Sequence, residues 1–172
     1  MIVDTRFAEL RYLEDKLARA TEVAIVRNDD EVFAPRLRRF RDDHHRHSAR
    51  LVALFEDNGV PVPVDTAEDF RRHADQHVLS VTEAPDAIEA FRRLLDGERD
   101  LRDLYDVDRS GDLPAGGQEV FAEALNDQRA HVDQLIAEID TEPIRGQGHG
   151  GGAYNDSGGP LGTGPGVGGR KR

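Results

Sequence analysis

The chain has 172 residues, a formal net charge of −11 and no cysteine. The acidic balance argues against nucleic-acid binding, which needs a cationic surface, and the lack of cysteine excludes disulfides and thiolate metal sites. No stretch of eighteen apolar residues predicts a membrane span, and the N-terminus has no signal-peptide pattern, so we expect a cytoplasmic protein without membrane contacts.

Four stretches have the periodicity of amphipathic helices. They run from about Asp4 to Val26, Asp30 to Asp57, Pro85 to Asp106 and Gly117 to Ile139. Short polar or Gly- and Pro-containing breaks separate the first two and the last two. The connection from Gly59 to Ala84 is long and has room for a short helix from about Thr66 to Ser80. The sequence therefore predicts an all-α protein, an antiparallel four-helix bundle of two helical hairpins joined by a long crossover.

The last part of the chain differs in composition. Twelve of the 17 glycines lie between Gly146 and Gly169. Such a segment cannot bury enough apolar surface to offset the entropy that ordering would cost. We therefore expect a bundle over residues 1–143 and a disordered Gly-rich tail over residues 144–172.

Each of the four apolar stripes is interrupted near its middle by polar or ionisable side chains. The interruptions are Glu14 in the first stripe, His44 and His47 in the second, Glu98 in the third, and Gln128 and His131 in the fourth. Burying such a group without a partner is costly. Four interruptions of the same kind therefore predict that these groups meet in the core.

The two hairpins also resemble each other as an internal repeat with an offset of 84 residues. The repeat pairs Phe7 with Phe91, Leu10 with Leu94, Glu14 with Glu98, Leu17 with Leu101, Asp43 with Asp127, His47 with His131, and Leu51 with Leu135. Apolar matches arise easily by chance, but matched Glu and His residues do not. Glu14 to His47 and Glu98 to His131 are both 33 residues apart. Glu14 and His44 are equally far from Asp29 in the first break, and Glu98 and Gln128 are equally far from Leu113 in the last, so antiparallel helices place each of these pairs at one height.

These residues resemble the pattern of ferritin-like di-iron proteins such as bacterioferritins and rubrerythrins. In that family two helices supply one Glu each, and the other two supply a Glu-x-x-His motif each. Glu14 and Glu98 match the single glutamates, and His47 and His131 match the two histidines. The resemblance covers residues 4–140, and the segment from Gly97 to Tyr105 is also similar to small bacterial ferritin-like proteins. It implies a ferritin-like bundle with a carboxylate–histidine metal site.

The chain departs from this pattern at two positions. His44 and Gln128 stand where the family has the motif glutamates, which usually bridge two metal ions, so one ion is easier to accommodate than two. Asp43 and Asp127 lie one residue earlier and could serve as ligands or hydrogen-bond the histidines. Imidazole with carboxylate suits Fe or Mn, with Zn also possible. The candidate metal ligands are Glu14, His44, His47, Glu98, Gln128 and His131.

Two functions remain open from the sequence. One is a metal-binding protein that handles iron or manganese at a mono- or dinuclear site. Such a site could support oxidase or peroxide-consuming activity. The alternative is a non-enzymatic structural or stress-related interaction protein, whose Glu and His residues form a metal-free buried network. A homo-oligomer is compatible with both. His73 and His77 have the i, i+4 spacing of metal ligands, but their place in the crossover favours a surface or packing role.

Overall fold

The computed structural model describes residues 5–106 and 113–147, with side chains described up to 141. Within these ranges the chain forms five α-helices and no strand, which confirms the all-α prediction for this part. The helices are α1 (Thr5–Arg27), α2 (Ala34–Asp57), α3 (Glu68–Thr82), α4 (Ala87–Tyr105) and α5 (Gly117–Gln147). Of these described helices, none is long and apolar enough to cross a membrane.

The last helix is longer than the sequence indicated. α5 passes Ile139, where the periodicity fades, and also residue 143, the predicted end of the bundle, and it ends at Gln147. Of the predicted disordered tail, residues 144–172, the part from residue 148 onward lies outside the described residues. That prediction therefore stays a prediction.

Aspartate side chains hydrogen-bond the backbone in the turn before α2 and at the N-terminus of α4. The Asp30 carboxylate accepts hydrogen bonds from the backbone N–H groups of Val32, at 2.6 Å, and Phe33, at 3.2 Å. This turn directly precedes α2, which begins at Ala34 and not at the predicted start, Asp30. Asp86 likewise accepts from the backbone N–H of Glu89 at 2.8 Å and acts as the N-cap of α4, because its side chain satisfies a donor that the helix leaves unpaired.

The long connection contains α3, as the sequence indicated. α3 packs on α1 and α4, and Lys16 of α1 forms an ion pair of 2.6 Å with Asp75 of α3. Arg27, at the end of α1, donates hydrogen bonds to the carbonyl oxygens of Thr82 and Ala84. The crossover is therefore held against α1 by polar contacts as well as by packing.

Two groups of aromatic side chains lie in the core, one on each side of its polar residues. In the first, Phe7 contacts Phe55 and Phe121 at ring-centroid distances of 4.8 and 5.5 Å. In the second, Phe33 lies 5.3 Å from Phe91 and 6.3 Å from Phe40. All of these rings are nearly or fully buried. The polar interruptions of the stripes therefore lie in an interior that excludes bulk water.

Candidate metal centre

All six predicted metal ligands are buried. The exposed fraction is 0% for Glu14, His44, Glu98 and Gln128, and 2% for His47 and His131. They come from α1, α2, α4 and α5, and five of them form one contiguous polar cluster. Gln128 is the exception, because neither atom of its buried amide has a hydrogen-bond partner among the described residues.

His44 lies between the two glutamates. Its Nδ1 is 2.6 Å from Glu14 Oε2, and its Nε2 is 3.0 Å from Glu98 Oε1. Burial alone would lower the pKa of His44, but the two carboxylates outweigh burial and raise the pKa to about 10. Without a metal ion the imidazole is therefore protonated at neutral pH, and it donates a hydrogen bond to each glutamate.

His131 makes a similar bridge between two carboxylates through its two ring nitrogens. Its Nδ1 lies 3.3 Å from Glu98 Oε2, and its Nε2 lies 3.2 Å from Asp43 Oδ2. The Phe40 ring stacks on the imidazole at a centroid distance of 4.1 Å. Burial would lower the pKa of His131, but the neighbouring carboxylates of Glu98 and Asp43 raise it. The ring is thus fixed in orientation by two carboxylates and one aromatic face.

His47 of α2 is the repeat partner of His131. Its Nε2 lies 3.1 Å from Asp127 Oδ2. Its Nδ1 approaches Glu14 Oε1 to 3.2 Å, but that nitrogen has no hydrogen-bond partner among the described residues. Asp43 and Asp127 are matched in the 84-residue repeat, and each contacts the histidine of the other repeat. The repeat seen in the sequence is therefore also a repeat of contacts.

The carboxylates of the cluster remain ionised despite their burial. Burial would raise the pKa of Glu98, but the positive charges of His44 and His131 lower it to about 2. Burial acts in the same direction on Asp43, and hydrogen bonds with His131 and Arg46 bring its pKa to about 2. The pKa of Glu14 is also lowered, against the effect of burial, by its hydrogen bond with His44. The protonated His44 therefore lies between two ionised acids, Glu14 and Glu98.

Two residues of the cluster were missed from the sequence. Arg46 donates hydrogen bonds to Asp43 and, at 2.6 Å, to Asp127, so it joins the aspartates of α2 and α5. The Tyr105 hydroxyl donates to Glu14 Oε1 at 2.6 Å. The i, i+3 spacing of Asp43 and Arg46 on one helix was a usable signal for the first contact. Tyr105 lay in the apolar stripe of its helix, where a tyrosine is expected to act as a packing residue.

Three of the side chains have the spacing of metal ligands. His44, Glu98 and His131 each offer one atom, these atoms lie within 4.8 Å of one another, and all three residues are buried. The ring nitrogen of each histidine that faces away from Glu98 contacts another carboxylate, Glu14 for His44 and Asp43 for His131. Carboxylates that orient histidines in this way are typical of metal sites, and the donor set suits non-haem iron and manganese.

Comparison of the chain with protein-family models, with curated proteins and with solved structures finds no match.

Proposed function

We propose that the protein is a ferritin-like antiparallel four-helix bundle whose core binds one divalent transition-metal ion, Fe²⁺ or Mn²⁺, with Zn²⁺ as a possible substitute. His44, Glu98 and His131 are the proposed ligands. The observation that carries the proposal is the double engagement of both histidines, each with one ring nitrogen beside Glu98 and the other on a further carboxylate.

The packing of the helices supports the bundle. α1 packs on α2, α2 on α5, α5 on α4 and α4 on α1, so these four helices form a closed cycle, with α3 on the outside against α1 and α4. Aromatic contacts join opposite ends of helices that are neighbours in sequence. Phe7 near the start of α1 contacts Phe55 near the end of α2, and Tyr105 at the end of α4 contacts Phe121 near the start of α5. Such contacts favour antiparallel neighbours.

The charges of the cluster support an ion at the three proposed ligands. Metal binding requires neutral imidazoles, so an ion held by His44, Glu98 and His131 would supply the positive charge that the His44 proton supplies in its absence. Glu14 and Asp43 then keep both rings in place, and Arg46 holds Asp43 from the outer side. Two histidines and one carboxylate leave coordination positions open on iron or manganese, so oxidase or peroxide-consuming chemistry is the reaction class to which the proposal leads.

A metal-free structural network is the second candidate, and one observation favours it. The His44 imidazolium already donates to Glu14 and Glu98 through both ring nitrogens, and it occupies the space between the two carboxylates. The polar contacts also continue from Asp127 through His47 and Glu14 to His44, Glu98, His131 and Asp43, and Arg46 closes the ring. A network with this degree of pairing could serve only to specify the fold.

A metal titration distinguishes the two candidates. Protein purified without a His tag and stripped with a chelator is titrated anaerobically with Fe²⁺, and separately with Mn²⁺ and Zn²⁺, while its melting temperature is measured. Binding raises stability by about 2.7 kcal/mol at a hundredfold excess of free ion over Kd. We expect a rise for the wild type and for His45→Gln, an exposed neighbour, but none for Glu98→Gln or His131→Gln.

The contrary result is a wild-type melting temperature that none of the three ions changes, in protein that retains no metal on purification. It would refute metal binding in the core and leave the structural network as the explanation. All titrations are repeated in a His73→Gln background, so that ions bound at the surface of α3 do not contribute to the shift.

A further inference from the structure

A second group of metal-ligating side chains lies between α3 and α4, apart from the core cluster. His73 Nε2 and His77 Nε2 lie 2.7 and 3.0 Å from the same oxygen, Oδ2 of Asp100. One ligand atom from each of the three residues lies within 4.8 Å of the other two. The i, i+4 spacing places both imidazoles on one face of α3, one turn apart.

The three side chains differ in how firmly they are held. The His77 side chain is 9% exposed, whereas the side chains of His73 and Asp100 are 59% and 43% exposed. His77 packs against Gly97, where an added Cβ would lie 3.2 Å from its Cγ. The buried ring and the α4 backbone therefore fix one donor, while the other two face solvent and leave a path for an ion.

The stability of the fold does not account for this arrangement. Exposed ion pairs contribute only about 0–1 kcal/mol, and two histidines here share a single carboxylate oxygen. His73 also contacts His77 at a ring-centroid distance of 4.9 Å, so the two rings lie side by side next to the carboxylate. A divalent ion between them would contact all three side chains at once and compensate the charge of the carboxylate.

We propose that His73, His77 and Asp100 form a second metal site, which binds Zn²⁺ or a similar borderline divalent ion at the protein surface. Zinc accepts imidazole nitrogen and carboxylate oxygen at about 2.0–2.2 Å, whereas Mg²⁺ and Ca²⁺ prefer oxygen-only sites. Three protein ligands leave the fourth zinc position to water. The exposure of two ligands makes the bound ion exchangeable with the solvent.

The test is a Zn²⁺ titration of the tag-free full-length protein by calorimetry, with the number of bound ions measured by equilibrium dialysis. We expect His73→Gln and Asp100→Asn each to lose one bound Zn²⁺, or to weaken that binding by roughly tenfold or more, since losing even an outer partner of a ligand weakens binding by 10–100-fold. His45→Gln is the matched control and keeps the wild-type stoichiometry.

Core and surface binding are separated by a further variant. His131→Gln alters the proposed core ligands on α5 and leaves the surface binding event in place, so failure of one proposal is distinguishable from failure of the other. If Asp100→Asn unfolds, the exposed His73→Gln decides the matter. Equal Zn²⁺ affinity and stoichiometry in wild type and His73→Gln, or displacement of the ion by equimolar Mg²⁺, would overturn the surface site.

Discussion

The Asp43 carboxylate of α2 lies 3.2 Å from Nε2 of His131 in α5, so the first half of the chain orients a histidine of the second. Asp127 of α5 and His47 of α2 repeat the contact in the opposite sense at 3.1 Å. Each half of the chain thus completes the polar cluster of the other. The two halves of the chain therefore have to assemble before either histidine has its full set of contacts.

Loss of the Asp43 contact should weaken metal binding without removing a proposed ligand. We expect Asp43→Asn to reduce the affinity for Fe²⁺ or Mn²⁺ by about 10–100-fold, the usual effect of losing the carboxylate that orients a ligating histidine. Asp42→Asn, at the exposed neighbouring position, is the control and leaves the affinity unchanged. Anaerobic titration calorimetry gives both values, and equal affinities in the two variants would contradict a positioning role for Asp43.

The metal-free protein should lose stability on both sides of mildly acidic pH. The pKa of Glu98 falls from 4.5 to about 2, so its contribution is present above pH 4.5 and is lost as the pH falls toward 2. The pKa of His44 rises from 6.5 to about 10, so its contribution is present below pH 6.5 and is lost as the pH rises toward 10.

Urea unfolding at a series of pH values, with a chelator present, measures both effects. We expect His44→Gln to remove much of the decline between pH 6.5 and 10, while His45→Gln leaves it unchanged. A wild-type free energy of unfolding that stays constant from pH 6.5 to 10 would contradict the charged state assigned to His44.

Gln128 should be a position where a polar side chain costs stability in the metal-free protein. Its amide is fully buried and has no hydrogen-bond partner among the described residues. Replacement by methionine keeps a similar volume and removes the unsatisfied groups, so we expect Gln128→Met to stabilise the protein by about 1–3 kcal/mol. The exposed Gln118→Met on the same helix should change stability by less than about 0.5 kcal/mol. Destabilisation by Gln128→Met in urea unfolding would indicate that the amide has a buried partner.

Gly97 should not tolerate a side chain, although it lies inside α4. An added Cβ would lie 2.5 Å from Leu17 Cδ2, a fully buried group. We expect Gly97→Ala to destabilise the protein by about 1–3 kcal/mol through overpacking, which outweighs the gain of about 1 kcal/mol in helix propensity. A Leu17→Ala background should relieve most of this cost, because it vacates the space. An unchanged cost in that background would point to another cause.

The sequence predicted the helices well where periodicity alone decides them, and less well where single contacts do. The stripes located α1, α2, α4 and the start of α5, but the turn at Asp30 before α2 and the N-cap at Asp86 depend on side-chain geometry. Glu14, His47, Glu98 and His131 were found as interruptions and as repeat partners. The stripes could not reveal that His44 bridges the two glutamates or that Arg46 links the two aspartates. Neither contact follows from helical periodicity.

The surface pair His73 and His77 shows the same limit. Their i, i+4 spacing was visible in the sequence, but their place in the crossover favoured a surface or packing role. The third donor, Asp100, lies on a different helix. Only the packing of α3 on α4 brings its carboxylate to both rings. Contacts between helices far apart in sequence depend on the crossover's path, and nothing in the local pattern encodes that path.

The most direct test of the central claim is a crystal structure of the protein grown with Mn²⁺ or Fe²⁺, with anomalous diffraction measured at the metal edge. We predict one anomalous peak in the core, within coordination distance of His44 Nε2, His131 Nδ1 and a Glu98 oxygen, with Glu14 and Asp43 still on the outer nitrogens. A core without an anomalous peak at full metal loading, in which His44 still bridges Glu14 and Glu98, would contradict metal binding there.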